Sequence, residues 1–222
     1  MPVTVVVPTL NEEEWIAGAI ESAFAAGASE VIVADGGSVD RTPRIATGAG
    51  ARVLLCEPMR ARQLNLGAQA ASHKALIFLH ADTRLPAGAA QAVEAMLARD
   101  ADFGGFRIAF AEPAVKLRMA AAMINLRTSI TRCPWGDQAQ FVRRETFLGL
   151  GGFLEIPLME DYELAVRMKR RGRSVLLPMT VTTSGRRFLR KGVFRTAAHN
   201  WRTVIRYRMG ADIAALARSY RK

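Results

Sequence analysis

Residues 3–14 read VTVVVPTLNEEE, and the fold class follows from this stretch. Residues 3–7 form a short, almost wholly apolar β-branched run that ends at Pro8. A run without polar alternation is what a strand buried on both faces of a parallel sheet requires. Asn11, followed by Glu12, Glu13 and Glu14, reads as a capping residue with carboxylates in a first helical turn, where the helix dipole favours them. Trp15, Ile16, Ile20 and Phe24 then recur at helical spacing, and Gly27 closes the segment. The unit is strand, polar loop, helix.

The same unit repeats as architecture, although no internal sequence repeat is visible. Residues 30–34 form a second apolar run ending in Asp35-Gly36-Gly37-Ser38, and residues 40–50 read as the helix after it. Residues 53–56 predict a third strand, 60–72 a helix, and 75–79 a fourth buried strand ended by His80-Ala81-Asp82, with a helix over 87–98. Four strand-then-helix units in the first hundred residues predict an α/β sheet with right-handed crossovers. Further on, residues 114–131 are helix-like and Trp135-Gly136-Asp137-Gln138 interrupts them. Gly151-Gly152-Phe153 is a tight turn, and Met159-Glu160-Asp161 opens a helix running to Gly172.

Composition sets the outer bounds. The chain has 222 residues, 50% hydrophobic and 23% charged, which fits a globular protein with a sizeable core. Eighteen Gly and nine Pro leave no room for a collagen-like or low-complexity chain, and two cysteines, Cys56 and Cys133, exclude a disulfide scaffold or a Cys₄ zinc site. A reducing compartment fits. The start of the chain carries no basic leader and no apolar run reaches the roughly 18 residues of a membrane span, so a cytoplasmic location is expected.

The net charge of +11 is unevenly placed. Residues 1–100 hold 8 Lys and Arg against 11 Asp and Glu, whereas the last 37 residues, from Arg186, hold 11 against 1. That distribution argues for a basic appendage on an ordinary domain and against a nucleic-acid binder with charge spread over one face.

In open α/β sheets ligands sit beyond the carboxyl ends of the strands, and the polar clusters at 8–12, 35–40 and 80–82 all fall there. Several carboxylates on one rim need a compensating cation or substrate hydroxyl, and a divalent metal is the simplest. Asp35, with Gly36 and Gly37 leaving the backbone approachable, reads as a contact to a base or ribose; the alternative is a turn-closing Asp. Arg60 and Arg62 open a helix and suit a diphosphate, or simply a solvated face. Asp82 with His80 forms a two-point candidate for Mn²⁺ or Mg²⁺. Glu160 and Asp161 at a helix start either satisfy the dipole or supply a general base to a hydroxyl.

Taken in order, VVVPTLNEE, VIVADGGSVDRT, ARQLNLGAQAA, LIFLHADT, GDQAQFVRRETFLGLGGF and LMEDYELAVRMKRRG resemble the motifs of glycosyltransferase family 2, over about residues 3–181. HADT together with WGDQ is similar to a short bacterial subgroup encoded beside radical-SAM or selenoprotein-related genes. The resemblance implies a GT-A fold, a mixed and mostly parallel sheet flanked by helices. It also implies a nucleoside diphosphate sugar, UDP- or GDP-linked, as donor and a hydroxyl as acceptor. By similarity Pro8, Leu10 and Glu12 line the nucleotide pocket with Asp35, Gly36 and Asp40, and Arg62 lies near the diphosphate. Asp82 is the metal-binding end of the family's Asp-x-Asp motif, Trp135, Asp137 and Gln138 position acceptor or sugar, and Asp161 of the Glu-Asp pair is the base.

Two departures stand out. His80 replaces the first Asp of the metal motif, and a late metal-ligating His is missing where the chain reads Thr182-Thr183-Ser184-Gly185-Arg186-Arg187. Arg186 or Arg187 is the expected substitute, neutralising the leaving phosphate. The Gln-x-x-Arg-Trp motif of processive synthases is absent, which implies transfer of one sugar per encounter.

The expected organisation is a GT-A domain over 1–185, with a nucleotide-sugar half (1–100) and an acceptor half (101–185), then a basic helical extension over 186–222. From Val193, apolar residues recur at three- and four-residue steps with arginines between them, an amphipathic basic helix bent at Gly210. It either packs on the domain with a solvated Arg face or lies on an anionic membrane surface. The functional alternative to a transferase is a degenerate sugar-nucleotide-binding or membrane-docking protein.

Overall fold

The computed structural model describes residues 2–99 and 101–221; Met1, Asp100 and Lys222, the last residue of the expected extension, lie outside it. Eight strands form one sheet: β1 (Val3–Thr9), β2 (Glu30–Asp35), β3 (Arg52–Leu55), β4 (Ala75–Phe78), β5 (Thr83–Arg84), β6 (Phe103–Phe110), β7 (Phe141–Arg143) and β8 (Ser174–Thr183). Their order is β3-β2-β1-β4-β7-β6-β8-β5. β1 to β4 are mutually parallel, β7 runs antiparallel to both β4 and β6, β6 and β8 are parallel, and β5 is antiparallel to β8. The sheet is mixed and mostly parallel, as expected.

Side chains alternate faces along a strand, and β1 shows why its run is almost wholly apolar. Val3, Val5 and Val7 enter one core with Ile16 and Ile20 of α1 (Ile16–Ala25) and with Val93 and Leu97 of α4 (Ala89–Ala98). Val6 enters the opposite core with Leu64 and Ala68 of α3 (Arg60–Ala70) and Leu164 and Met168 of α7 (Glu160–Arg171). Each such fully buried side chain stabilises the fold by roughly 1.5–3 kcal/mol. α2 (Thr42–Gly48) and α6 (Arg144–Gly149) complete the two helical layers.

Three local expectations are corrected. The first strand continues through Pro8 to Thr9, because pairing with β4 has already ended at Val6 and Phe78, so the missing Pro8 N–H deprives no neighbour. Asn11 is not a helix cap: it sits at φ 55°, a region Asn tolerates, and α1 starts only at Ile16. Its Oδ1 instead accepts the Val39 N–H at 2.9 Å, and its own N–H reaches Ser38 Oγ at 2.8 Å, pinning the β1 and β2 loops together. Strands β6 and β7 were not foreseen. Gly104 and Gly105 dilute the β signal of β6, yet a Cβ on Gly104 would collide with the Phe141 ring and one on Gly105 would lie 2.6 Å from Pro134 Cβ.

The remaining helices are α5 (Val115–Thr131), α8 (Arg186–Lys191), α9 (Val193–Arg208) and α10 (Ile213–Arg221). Leu117 and Ala120 of α5 form a small core with Val193, flanked by Phe110 and Phe188, which fastens the basic extension to the domain. The expected bend is a break: Gly210 takes φ 81°, and Asp212 starts α10 by accepting the N–H groups of Ala214 and Ala215. The two alternatives for this region are therefore not exclusive. α9 buries Val193, Thr196, Thr203 and Val204 while leaving Phe194, Trp201 and Ile205, with Met209 just beyond it, exposed.

Candidate active site

A cavity of about 510 Å³ opens at the carboxyl ends of the strands, lined among others by Arg60, His80, Asp82, Asp137, Asp161 and Arg186. The edge of the sheet assembles it. β5 pairs with β8 so that Thr83 faces Thr183, their hydroxyls 2.8 Å apart, and the Ser184 N–H reaches the Asp82 carbonyl at 3.1 Å. This register sets Asp82 beside Arg186, the first residue of α8. Arg186 Nη2 lies 2.9 Å from both carboxylate oxygens of Glu12 and 3.3 Å from Asp82 Oδ2. One guanidinium thus gathers two carboxylates from different loops. Burial raises the Glu12 pKa; Arg186 opposes it, and the Asp82 charge adds to it.

Asp161 occupies the second position of α7. Its Oδ2 accepts the Gly136 N–H at 2.7 Å and its Oδ1 the Tyr162 N–H at 2.7 Å, which fixes the carboxylate plane. Gln140 holds the backbone beneath it, donating to the Asp161 and Pro134 carbonyls at 2.9 Å each. Gly136 must be small: an ideal Cβ there would stand 3.0 Å from both Asp161 Oδ2 and His80 Nε2. His80 is thereby wedged near Asp161 as well as Asp82. Burial, then the Arg60 charge, push its pKa down to about 4, so the ring is neutral near pH 7. Glu160, the other member of the pair, is buried and lies 3.3 Å from Arg60. Its carboxyl pKa is raised by burial despite Arg60. It stands against the Arg60 guanidinium, and both it and Asp161 line the cavity.

Of the residues expected at the acceptor side, Trp135 and Asp137 reach the cavity and Gln138 does not. Gln138 is fully buried as a brace: its Oε1 accepts Thr128 Oγ1 at 2.7 Å and Arg127 Nη2 at 2.9 Å, and its amide donates to the Phe106 carbonyl. Trp135 carries the Arg127 guanidinium 3.6 Å above its ring. Asp137 has a buried Oδ1 without a hydrogen-bond partner, and burial lifts its pKa to about 6 against the pull of Arg127. A second cavity, about 1050 Å³, adjoins the first at Trp135 and Tyr162 and runs between α7 and α9, lined also by Trp201, Tyr207 and Arg208.

The donor-side residues are divided. Leu10 is exposed at the rim, Pro8 and Glu12 are half-buried, and none lines the cavity directly. Asp35 is fully buried, and its oxygens accept Thr9 Oγ1, Ser38 Oγ and the N–H groups of Gly37 and Ser38. These bonds are the ones a turn-closing Asp makes. Asp40 likewise accepts the Thr42 and Glu13 N–H groups. Gly36 faces inward, where a Cβ would meet Pro58 Cα at 3.1 Å and Gln63 Nε2 at 3.2 Å. Arg62 stands away from the cavity between Glu57 and Glu155, while Arg60, two residues earlier and on another side of the helix, lines it. Gln63, unremarked in sequence, ties the ends of β1 and β2 by donating to the Thr9 and Ala34 carbonyls at 2.7 and 2.8 Å. Arg187 lines the cavity with its guanidinium 4.0 Å over the ring of Tyr220, a second residue that sequence reasoning missed.

Among the described residues no group of three or more His, Cys, Asp or Glu side chains converges. Two carboxylates drawn to one cation beside a neutral imidazole nevertheless suit a hard ion that completes its shell with phosphate oxygens. Glu12 and Asp82 thus offer two oxygen donors of the type Mn²⁺ or Mg²⁺ takes, short of a complete protein shell.

The fold and its rim define a GT-A type nucleotide-sugar-transferase architecture. A family model described as glycosyl transferase family 2 matches residues 4–196, and the chain belongs to that family. The match runs past residue 185 into α9, so the expected domain boundary does not coincide with it. Among solved structures, S. aureus TarS 1-349 matches with a TM-score of 0.66 at 17% identity, covering 83% of this chain and 61% of that one. Glucosyl-3-phosphoglycerate synthase from Mycobacterium tuberculosis, in complex with Mn²⁺ and UDP-glucose, matches with a TM-score of 0.57 at 20% identity, over 82% of this chain and 70% of that one. TarS 1-349 is also known in complex with UDP-GlcNAc, at a TM-score of 0.61, 14% identity and coverage of 83% and 56%. At these identities the likeness is one of fold, and the chain spans about 61% of the length of TarS 1-349. No curated protein matches.

Proposed function

We propose that the chain transfers one sugar from a UDP- or GDP-sugar to an acceptor hydroxyl in a single inverting displacement, with Asp161 as the general base. The observation that carries this reading is the shared cavity in which Asp161, Asp82, Arg60 and Arg186 face one another. Asp161 is held rigid by two backbone N–H groups with the α7 dipole behind it, a fixed acceptor for the proton of an incoming alcohol. Arg60, paired with Glu160, and Arg186, reaching from α8, supply positive charge where a leaving diphosphate accumulates negative charge. Asp82, with Glu12 and the neutral His80 nearby, is where Mn²⁺ or Mg²⁺ would be held, and such an ion supplies further neutralisation of the diphosphate. Trp135 and Asp137 line the acceptor side. The neighbours' complexes with UDP-sugars support the donor class.

The chain acts in the cytoplasm, and residues 193–222 rest on an anionic membrane surface. The basic, apolar-faced α9 supports that contact, and no helix among the described residues is long and apolar enough to cross a membrane. Incubation with a panel of nucleoside diphosphate sugars and Mn²⁺ or Mg²⁺, read as released nucleotide, tests the function. Slow hydrolysis of one donor is expected. One observation favours a non-catalytic sugar-nucleotide binder: Arg186 already engages Asp82. Tight UDP binding without turnover of any donor would establish that reading instead.

A further inference from the structure

α5 lies inside the family-matched domain, yet one of its faces has no partner. Val115, Met119, Met123, Leu126 and Ile130, spaced by three or four residues, are between 48% and 73% exposed. The opposite face buries Leu117, Ala120, Ala121 and Thr128. Asn125 fixes the helix against β6 by bonding both the N–H and the carbonyl of Ile108, at 2.9 and 3.0 Å. The apolar stripe is therefore held outward. Scattered exposed apolar residues are ordinary, whereas a contiguous set on a fixed face marks a contact surface.

The stripe is continuous with a second one. Phe194, Trp201 and Ile205 of α9 and Met209, just past its end, are 52% to 81% exposed. Met123 of α5 and Trp201 of α9 line the same shallow cleft. Trp201 also lines the larger cavity that reaches Tyr162 beside the catalytic carboxylate. The two helices thus form one face at the mouth of the acceptor side.

Charge selects the occupant. Residues 113–132 hold four Lys and Arg and no Asp or Glu, and the chain from Arg186 onward holds eleven against one. Lys116, Arg118 and Arg132 of this stretch, and Arg195, Arg202 and Arg206 of α9, are exposed around the apolar stripes. A second copy of the chain would bring the same nearly acid-free surface against itself, which repels. An anionic bilayer accepts both components, apolar side chains and Trp in the interface and guanidinium groups among the headgroups.

We infer that α5 and α9 together form a docking face for an anionic lipid bilayer, with α5 contributing from within the catalytic domain. This deepens the membrane contact of the proposed function, which assigned it to residues 193–222 alone, and rests on it. Docked this way, the chain presents the Tyr162 cavity to a hydroxyl anchored in the bilayer.

The test is flotation of the full chain with phosphatidylglycerol-containing and with purely phosphatidylcholine vesicles, with donor hydrolysis measured in parallel. The unaltered chain is expected to float with the anionic vesicles only. The triple variant Met119→Glu, Met123→Glu, Leu126→Glu is expected to lose about tenfold or more of that binding, with nucleotide release unchanged. A milder pair, Met119→Gln with Leu126→Gln, reduces binding in the same direction and guards against misfolding of the triple variant. Equal flotation of the parent and both variants would overturn the role of α5 while leaving α9 in place. Failure of the parent to float would overturn the membrane reading altogether. Equal flotation on neutral vesicles would remove the charge argument. A dimer in sedimentation that the same variants dissolve would assign the face to a second copy.

Discussion

The carboxylates of the β1 and β2 loops and those of the acceptor side are held in opposite ways. Asp35 has its oxygens filled by two hydroxyls and two N–H groups of its own neighbourhood, and Asp40 is likewise saturated by backbone. Asp137 and Glu160 are buried with an oxygen lacking any hydrogen bond, and burial raises the pKa of each. A saturated buried carboxylate builds a loop, because it gains a hydrogen bond for every lone pair that it removes from water. An under-satisfied one is costly in the empty protein, and such cost is tolerated where a ligand later compensates it. Asp35 and Asp40 therefore shape their loops, Glu160 is matched by the Arg60 guanidinium at 3.3 Å, and Asp137 keeps an oxygen without a partner. Asp161 sits between these regimes, fixed by two N–H groups yet open to the cavity.

Breaking the catalytic end of that contrast has the largest expected effect. Asp161→Asn removes the proton acceptor and should lower turnover by about 10² to 10⁴, or roughly 3–5 kcal/mol on the barrier. UDP affinity should stay within a few fold, since the proposed role of Asp161 is toward the acceptor hydroxyl and not the nucleotide. Single-turnover assays with titration of UDP separate the two quantities, and full turnover in the variant would remove Asp161 as the base.

The scaffold end should break differently. Asp35→Ala leaves the Thr9 and Ser38 hydroxyls and two N–H groups without their acceptor. A stability loss of about 2–4 kcal/mol is expected in urea unfolding. A stable variant with weakened UDP binding would mean that Asp35 contacts the nucleotide after all.

These assignments also mark what could be read from the residues. β1 to β4 are legible because a buried parallel strand is a continuous apolar run. β6 is not, because its glycines serve contacts with Phe141 and Pro134 that lie far along the chain. Asp82 was expected on the rim from its place after β4, and Asp137 and Asp161 came to it through the family resemblance; all three line one cavity, whereas Asp35, expected in the same cleft, does not. The choice between Arg60 and Arg62 was not legible: residues two apart on a helix point in different directions, and only packing decides which one faces the rim. Asp35 looked like a ligand residue because a turn-closing Asp and a ribose-binding Asp share the same Asp-Gly-Gly context. The exchange between Arg186 and Asp82 depends on a register joining Thr83 to Thr183, a hundred residues apart.

Arg186 sharpens the comparison at its boundary, where a donor-side carboxylate, Glu12, and a metal candidate, Asp82, share one guanidinium. Arg186→Ala leaves these two acidic groups facing each other. Mn²⁺ affinity without nucleotide should then rise about tenfold, roughly 1.4 kcal/mol, because the competing cation is gone. Electron paramagnetic resonance of free Mn²⁺ measures this, and unchanged or weaker binding would show that the two carboxylates do not form the ion's site.

The last expected effect concerns Asp137 and reads the acceptor side through pH. Burial raises its pKa to about 6, with Arg127 pulling the other way, whereas an unfolded Asp titrates near 3.9. Between these values the folded chain holds a proton that the unfolded chain has released, so stability falls as pH rises from about 4 to about 6 and the loss is complete above that. Asp137→Asn keeps the shape and removes the titration. The variant should therefore match the parent below pH 4 and exceed it above pH 7 by up to about 3 kcal/mol, since each tenfold change in proton affinity is worth about 1.4 kcal/mol. Thermal unfolding at several pH values checks the sign. A gain that is the same at every pH would trace to packing, and a loss above pH 7 would mean that the charged carboxylate is compensated by Arg127 in the empty protein. In that case the acceptor side would hold no unspent charge at Asp137, and its resemblance to the saturated loops of β1 and β2 would be closer than the buried oxygen suggests.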